Sequence, residues 1–185
     1  VSAAPCGDGA PAHPCDAAGP ASTCGTAEPG LEPGLEAVAP APLLVFGWGN
    51  PSRGDDALGP LFVDAVEAMR LPEVECLTDF QLQVEHALDL RGRSRVLFVD
   101  ASGTAPPPFE LQPIAAARDD SFTTHAVSPQ SVLQVFEDLE GRPAPPCWLL
   151  AIRGDSWELG AAPAPSAHAN LRAAIVAFTA WLPAL

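Results

Sequence analysis

The chain has 185 residues, with 23 acidic side chains against 9 basic ones, and every basic residue is arginine. A net charge of -14 argues against a surface for nucleic acid or an anionic membrane. No apolar run approaches the roughly 20 residues needed to span a bilayer, and five cysteines, an odd number, do not make a disulfide framework.

Residues 1–42 are rich in Ala, Pro and Gly and carry five acids but no base. Such a segment buries too little apolar surface to offset its ordering entropy, so a disordered tail is expected. It lacks the basic start and compact apolar core of a secretory signal, which points to a cytoplasmic protein. Cys6, His13, Cys15 and Cys24 within it are spaced too widely for the usual zinc patterns. The folded domain is placed at residues 43–185, long enough to bury a core.

Leu43–Phe46 is a short apolar run of strand type. It leads into Gly47-Trp48-Gly49-Asn50 and then to Asp55 and Asp56, which stand at the expected start of a helix. Beyond Asp56, apolar residues at Leu58, Leu61, Phe62, Ala65, Val66 and Met69 keep helical spacing. Val74–Phe80 reads as a second strand and Gln81–Leu90 as a short helix. Arg95–Ala101 (RVLFVDA) is apolar on both faces, as a central parallel strand must be. Phe109–Ile114 alternates weakly and reads as an edge strand, antiparallel because a short Pro-rich loop joins it. Ser128 followed by Pro129 is a helix start, cap and then first helical position. Cys147–Ile152 is another buried strand, and Ser166 opens a last helix with Leu171, Ile175, Phe178 and Leu182 on one face. Alternation of this kind implies an α/β sandwich around a mainly parallel sheet.

A strand, a glycine turn and a helix together are the layout of many phosphate sites. Here Gly47 and Gly49 supply two glycines of the dinucleotide pattern, but Ser52 stands at the third. Asp55 and Asp56 would repel a pyrophosphate at the helix start, so no nucleotide cofactor is expected. Acids at that place also suit the helix dipole, by roughly 0.3–1 kcal/mol each. Such capping accounts for Asp55, with bracing of the turn. Asp56 is the better candidate for chemistry, because open α/β sheets hold their sites beyond the carboxyl ends of the strands.

Asp100 ends the clearest strand and emerges at the same edge; by itself it could equally be a loop acid or a cap. His125, in TTHAVSPQ before the Ser128 helix, would complete a set of two carboxylates and one imidazole. That donor set suits zinc or nickel with positions left open for water or substrate. His86 with Glu85 and Asp89 is a competing cluster, although residues three and four apart on one short helix are more often a solvated charged face. No Ser or Cys sits in a nucleophile elbow, and Cys76 and Cys147 read as strand residues, so a covalent mechanism is not suggested.

GWGNPSRGDD, the strand ending VDAS and the TTH segment before a helix together resemble the NiFe-hydrogenase maturation proteases, from about Leu43 to Leu182. DFQLQVEHALDL is most similar to the branch serving cytoplasmic, often NAD-reducing, bidirectional hydrogenases. In place of the glycine-rich segment many relatives carry after the second strand stands Asp79-Phe80-Gln81-Leu82. The resemblance implies a three-layer α/β/α sandwich with a twisted, mainly parallel five-stranded sheet, of the phosphorylase/hydrolase-like type. It implies an endopeptidase that removes the C-terminal extension of the hydrogenase large-subunit precursor after nickel insertion. The family's three nickel-contacting positions fall on Asp56, Asp100 and His125, which are therefore both the metal and the catalytic candidates. The nickel is expected to come with the substrate. The large-subunit precursor is the expected partner, with no nucleic acid or membrane, and the protein is expected to be a monomer.

Two mechanisms compete within that reading: recognition of the substrate's nickel, and a paired-carboxylate acid and base of aspartic-protease kind built from Asp56 and Asp100. A second class is a non-catalytic nickel checkpoint or chaperone that binds the large subunit without cutting it. A third is a small-molecule-binding α/β domain.

Overall fold

The computed structural model describes residues 39–118 and 127–182. Five strands make one sheet: β1 (Leu43–Trp48), β2 (Val74–Asp79), β3 (Arg95–Ser102), β4 (Phe109–Ile114) and β5 (Cys147–Arg153). Their spatial order is β2-β1-β3-β5-β4, and every neighbouring pair is parallel except β4 with β5. The three-layer sandwich and the antiparallel edge strand expected from the sequence are both present.

Alternation along the strands sends two cores to opposite faces. On one face Leu43 and Val45 of β1 and Leu97 and Val99 of β3 pack against two helices, α1 (Leu58–Ala68) and α3 (Pro165–Trp181). The Phe62 and Phe178 rings meet there edge to face, with centroids 5.6 Å apart. On the other face Leu44, Phe46, Val96 and Phe98 pack against α2 (Pro129–Glu140) and the 3-10 helix Val84–Leu90. No described helix is long and apolar enough to cross a membrane.

The helix at Ser128 forms as its residues predict. The Ser128 hydroxyl accepts the Ser131 N–H at 3.2 Å, Pro129 takes the first helical position, and Gly141 stops the helix in the left-handed region at φ 63°. Three local expectations differ. The segment after Asp56 is not one helix: a 3-10 turn at Gly54–Ala57 precedes α1. The short helix expected over Gln81–Leu90 is a 3-10 helix that begins at Val84. The last helix begins at Pro165, after Ala164 as its capping residue, and Ser166 makes no cap; a proline in the first turn presets φ there without one.

Two glycines set the spacing between α1 and the sheet. A Cβ on Gly47 would lie 2.5 Å from the Gly59 carbonyl oxygen and 2.7 Å from Val63 Cγ2. A Cβ on Gly59 would run into the carbonyl oxygen of Trp48. The first turn of α1 therefore lies directly on the end of β1, and the turn before it hangs over the carboxyl edge of the sheet.

Candidate functional site

Strands β1 and β3 are neighbours, and the chain leaves them in opposite directions, from β1 toward β2 and from β3 toward β4. Such a reversal opens a crevice beyond the strand ends. A cleft of about 220 Å³ lies there. Trp48 and Gly49 from the end of β1, Asp56 from the 3-10 turn, and Asp100 and Ala101 from β3 line it on one side. Phe80, Gln81 and Leu82, just beyond β2, form the opposite wall.

Asp56 and Asp100 are thus brought together, both half-buried. Asp56 Oδ2 accepts the Asn50 N–H at 3.0 Å, and Asp100 Oδ1 accepts the Ala101 N–H at 2.8 Å. The second oxygen of each carboxylate has no donor among the described residues. Burial pushes the Asp100 carboxyl up to about 7; the Ala101 amide opposes this, and the Asp56 charge adds to it. A carboxyl in that range titrates near neutrality, which suits proton transfer.

His125 lies outside the described residues. The described chain resumes with Val127, which lines the same cleft. Among the described residues no three His, Cys, Asp or Glu side chains converge on a metal position. The two free carboxylate oxygens are hard donors of the kind a divalent cation takes, and a third ligand would have to come from elsewhere.

Asp55 does not cap its own turn, which has no side-chain cap at Arg53. The side chain turns inward and is fully buried. Its Oδ2 accepts the amides of Asp155 and Ser156 at 2.7 and 2.9 Å, and Oδ1 accepts that of Ala164 at 2.7 Å. Burial opposes the charge, yet these bonds, with a smaller contribution from His168, hold the carboxyl below its ordinary value. Bracing, expected from the sequence, is thus what the residue does; capping is not, because its partners are about a hundred residues away rather than in the next turn.

His86 does not join Glu85 and Asp89. Its Nε2 lies 3.3 Å from Asp79 Oδ2, and its Nδ1 accepts the Gln83 N–H at 2.9 Å. The imidazole pins the segment that forms the far wall of the cleft. Cys76 and Cys147 are free thiols within strands, each pushed up by burial, to about 11 and about 12, and so are poor nucleophiles.

Sequence reasoning missed Trp48, Phe80 and Leu82 as cleft walls and Asn50 as the donor to Asp56. Asn50 had a local signal, since its side chain accepts the Ser52 N–H at 2.9 Å in an Asx turn. The walls had none, because they come from two separate segments.

No protein-family model matches the chain, and no curated protein matches it in sequence. Solved structures do match its fold. A NiFe hydrogenase maturation protease, HycI, from Thermococcus kodakarensis is 20% identical with a TM-score of 0.59, over 74% of this chain and 90% of that one. The hydrogenase maturating endopeptidase HybD from Escherichia coli is 23% identical with a TM-score of 0.59, over 76% and 91%. A hydrogenase 2 maturation peptidase from a Thaumarchaeota archaeon is 24% identical with a TM-score of 0.54, over 76% and 97%. The chain has the α/β fold of these proteins, and the match spans nearly their whole length.

Proposed function

We propose that the protein is a cytoplasmic endopeptidase that removes the C-terminal extension of a nickel-loaded NiFe-hydrogenase large-subunit precursor. The observation that carries this reading is the meeting of Asp56 and Asp100 in one cleft beyond β1 and β3, in a fold shared with hydrogenase maturation endopeptidases. Asp56, Asp100 and His125 are the residues that read the precursor's nickel, which belongs to the substrate. Each of the two carboxylates keeps one oxygen without a protein donor among the described residues, and this supports the assignment. The bound metal would orient the precursor tail across the cleft and could polarise the scissile carbonyl or activate a water.

The elevated Asp100 carboxyl supports a second mechanism at the same residues. Asp56 would act as base toward water and neutral Asp100 as acid toward the leaving amine.

Incubation of the purified protein with nickel-loaded precursor tests both. Shortening of the precursor on a gel is expected, with loss of processing in Asp56→Asn, Asp100→Asn and His125→Ala. Cleavage of nickel-free precursor would favour the acid–base pair. Binding without cleavage would make the protein a chaperone, and normal processing by all three variants would remove the site assignment.

A further inference from the structure

The segment Ser52–Asp55, which leads directly into Asp56, is bound to the loop between β5 and α3 at each of its four residues. Ser52 O accepts the Gly160 N–H at 2.6 Å, and the Gly54 N–H donates to Ala161 O at 3.0 Å. The Asp55 N–H donates to Ser156 O at 2.7 Å, while Arg53 Nε reaches Trp157 O at 3.1 Å. Contact is close enough to exclude side chains on both sides. A Cβ on Gly54 would lie 2.5 Å from Ser156 O, and one on Gly154 would lie 2.7 Å from Asp55 Cβ. At the centre is the Asp55 carboxylate, the one fully buried charge among the described residues, with its three amide donors. A buried charge is tolerated only where such donors replace water, so the turn has one low-energy placement.

We infer that Asp55 is the positioning residue of the site: its carboxylate clamps the turn to the β5–α3 loop and so holds Asp56 in the cleft beside Asp100. The inference rests on the reading of Asp56 as a site acid given above. Asp55 is buried behind the turn and does not line the cleft. Its effect passes through one peptide unit to Asp56, whose side chain is held, among the described residues, by the single bond from the Asn50 amide. A catalytic group displaced by about 1 Å can lose about 100-fold in rate, so a loosened turn should lower kcat far more than it raises KM.

The test uses the full chain and nickel-loaded precursor with four proteins: wild type, Asp55→Asn, Ala164→Pro and Phe178→Leu. Ala164 has φ -64°, which proline adopts, so that variant deletes one donor to Asp55 and crowds its Oδ1 while the charge stays. Phe178→Leu loosens the remote core without touching the clamp. In Asp55→Asn, kcat should fall about 10- to 100-fold with KM within about two-fold of wild type. The Asn50 amide resonance, which reports the bond to Asp56, should shift. Ala164→Pro should do the same to a smaller degree and carries the test if Asp55→Asn does not fold. Phe178→Leu should melt lower yet keep both the resonance and kcat. Unchanged kcat and Asn50 resonance in a folded clamp variant would overturn the inference, as would equal losses in Phe178→Leu. Failure of wild type to process the precursor would instead remove the underlying functional reading; the Asn50 resonance would still report whether Asp55 places Asp56.

Discussion

His86 lies 3.3 Å through Nε2 from Asp79 Oδ2, across the bend that leads from β2 into the cleft wall. Its Nδ1 accepts the Gln83 N–H, so the neutral ring carries its proton on Nε2. Both nitrogens are thereby committed, and neither is free for a metal. Nitrogen NMR should show the Nε2–H tautomer for the neutral ring. Replacement of His86 by Ala should cost about 1 kcal/mol through the lost hydrogen bond from Gln83 and the lost contact with Asp79. Addition of nickel should leave the His86 ring resonances in place.

Asp100 makes stability depend on pH in a definite direction. Its folded-state value of about 7 lies above the ordinary 3.8 because burial, and then the Asp56 charge, disfavour ionisation. Its contribution is therefore fully present below about pH 4 and is lost as pH rises through 7. Asp100→Asn should melt higher than wild type at pH 8, and the gap should narrow toward pH 4. In Asp56→Asn the Asp100 carboxyl should titrate lower, since a like charge has gone. Carbon NMR of the carboxyl across this range checks both.

Asp55 has the opposite sign. Its carboxyl is held below 3.8, so the stability it supplies is present above that value and is lost as pH falls through its lowered folded one. Asp55→Asn should cost about 3 kcal/mol at pH 7, because one of three charge-assisted donors would face an amide group instead. Urea unfolding at pH 7 and at pH 3 should show the difference between variant and wild type shrinking in acid.

Gly49 holds φ at 139°, and a Cβ there would run into the carbonyl oxygen of Asp56. Gly49→Ala should therefore both strain the backbone, by about 1–3 kcal/mol, and push the turn that carries Asp56. Processing of the precursor should fall in a protein that still folds. Urea midpoints and a gel of the precursor read the two effects separately.

Ser128→Ala removes the acceptor for the Ser131 amide at the start of α2. A loss of about 1 kcal/mol is expected by thermal melting.

Much of the fold was legible because periodicity reports burial. RVLFVD, apolar on both faces, had to be central, and β3 lies between β1 and β5. The Pro-rich loop before Phe109 implied a reversal, and β4 is the antiparallel edge. Boundaries were less legible where tertiary contacts compete with propensity. The turn at Gly54–Ala57 stays a tight 3-10 turn because its polar groups bond to the loop at 156–161 rather than along a helix.

The chain order alone determined that Asp56 and Asp100 emerge at one edge of the sheet, since a strand's direction fixes where its last residue goes. Tertiary structure decided what each acid bonds to. Asp55 and Asp56 are adjacent and chemically identical in the sequence, and dipole arguments treat them alike. The fold turns one toward three amides about a hundred residues away and leaves the other with a single amide and an oxygen open to the cleft. That division depends on where the β5–α3 loop runs, and the loop's course is set by packing of α3 on the sheet, which no local pattern encodes.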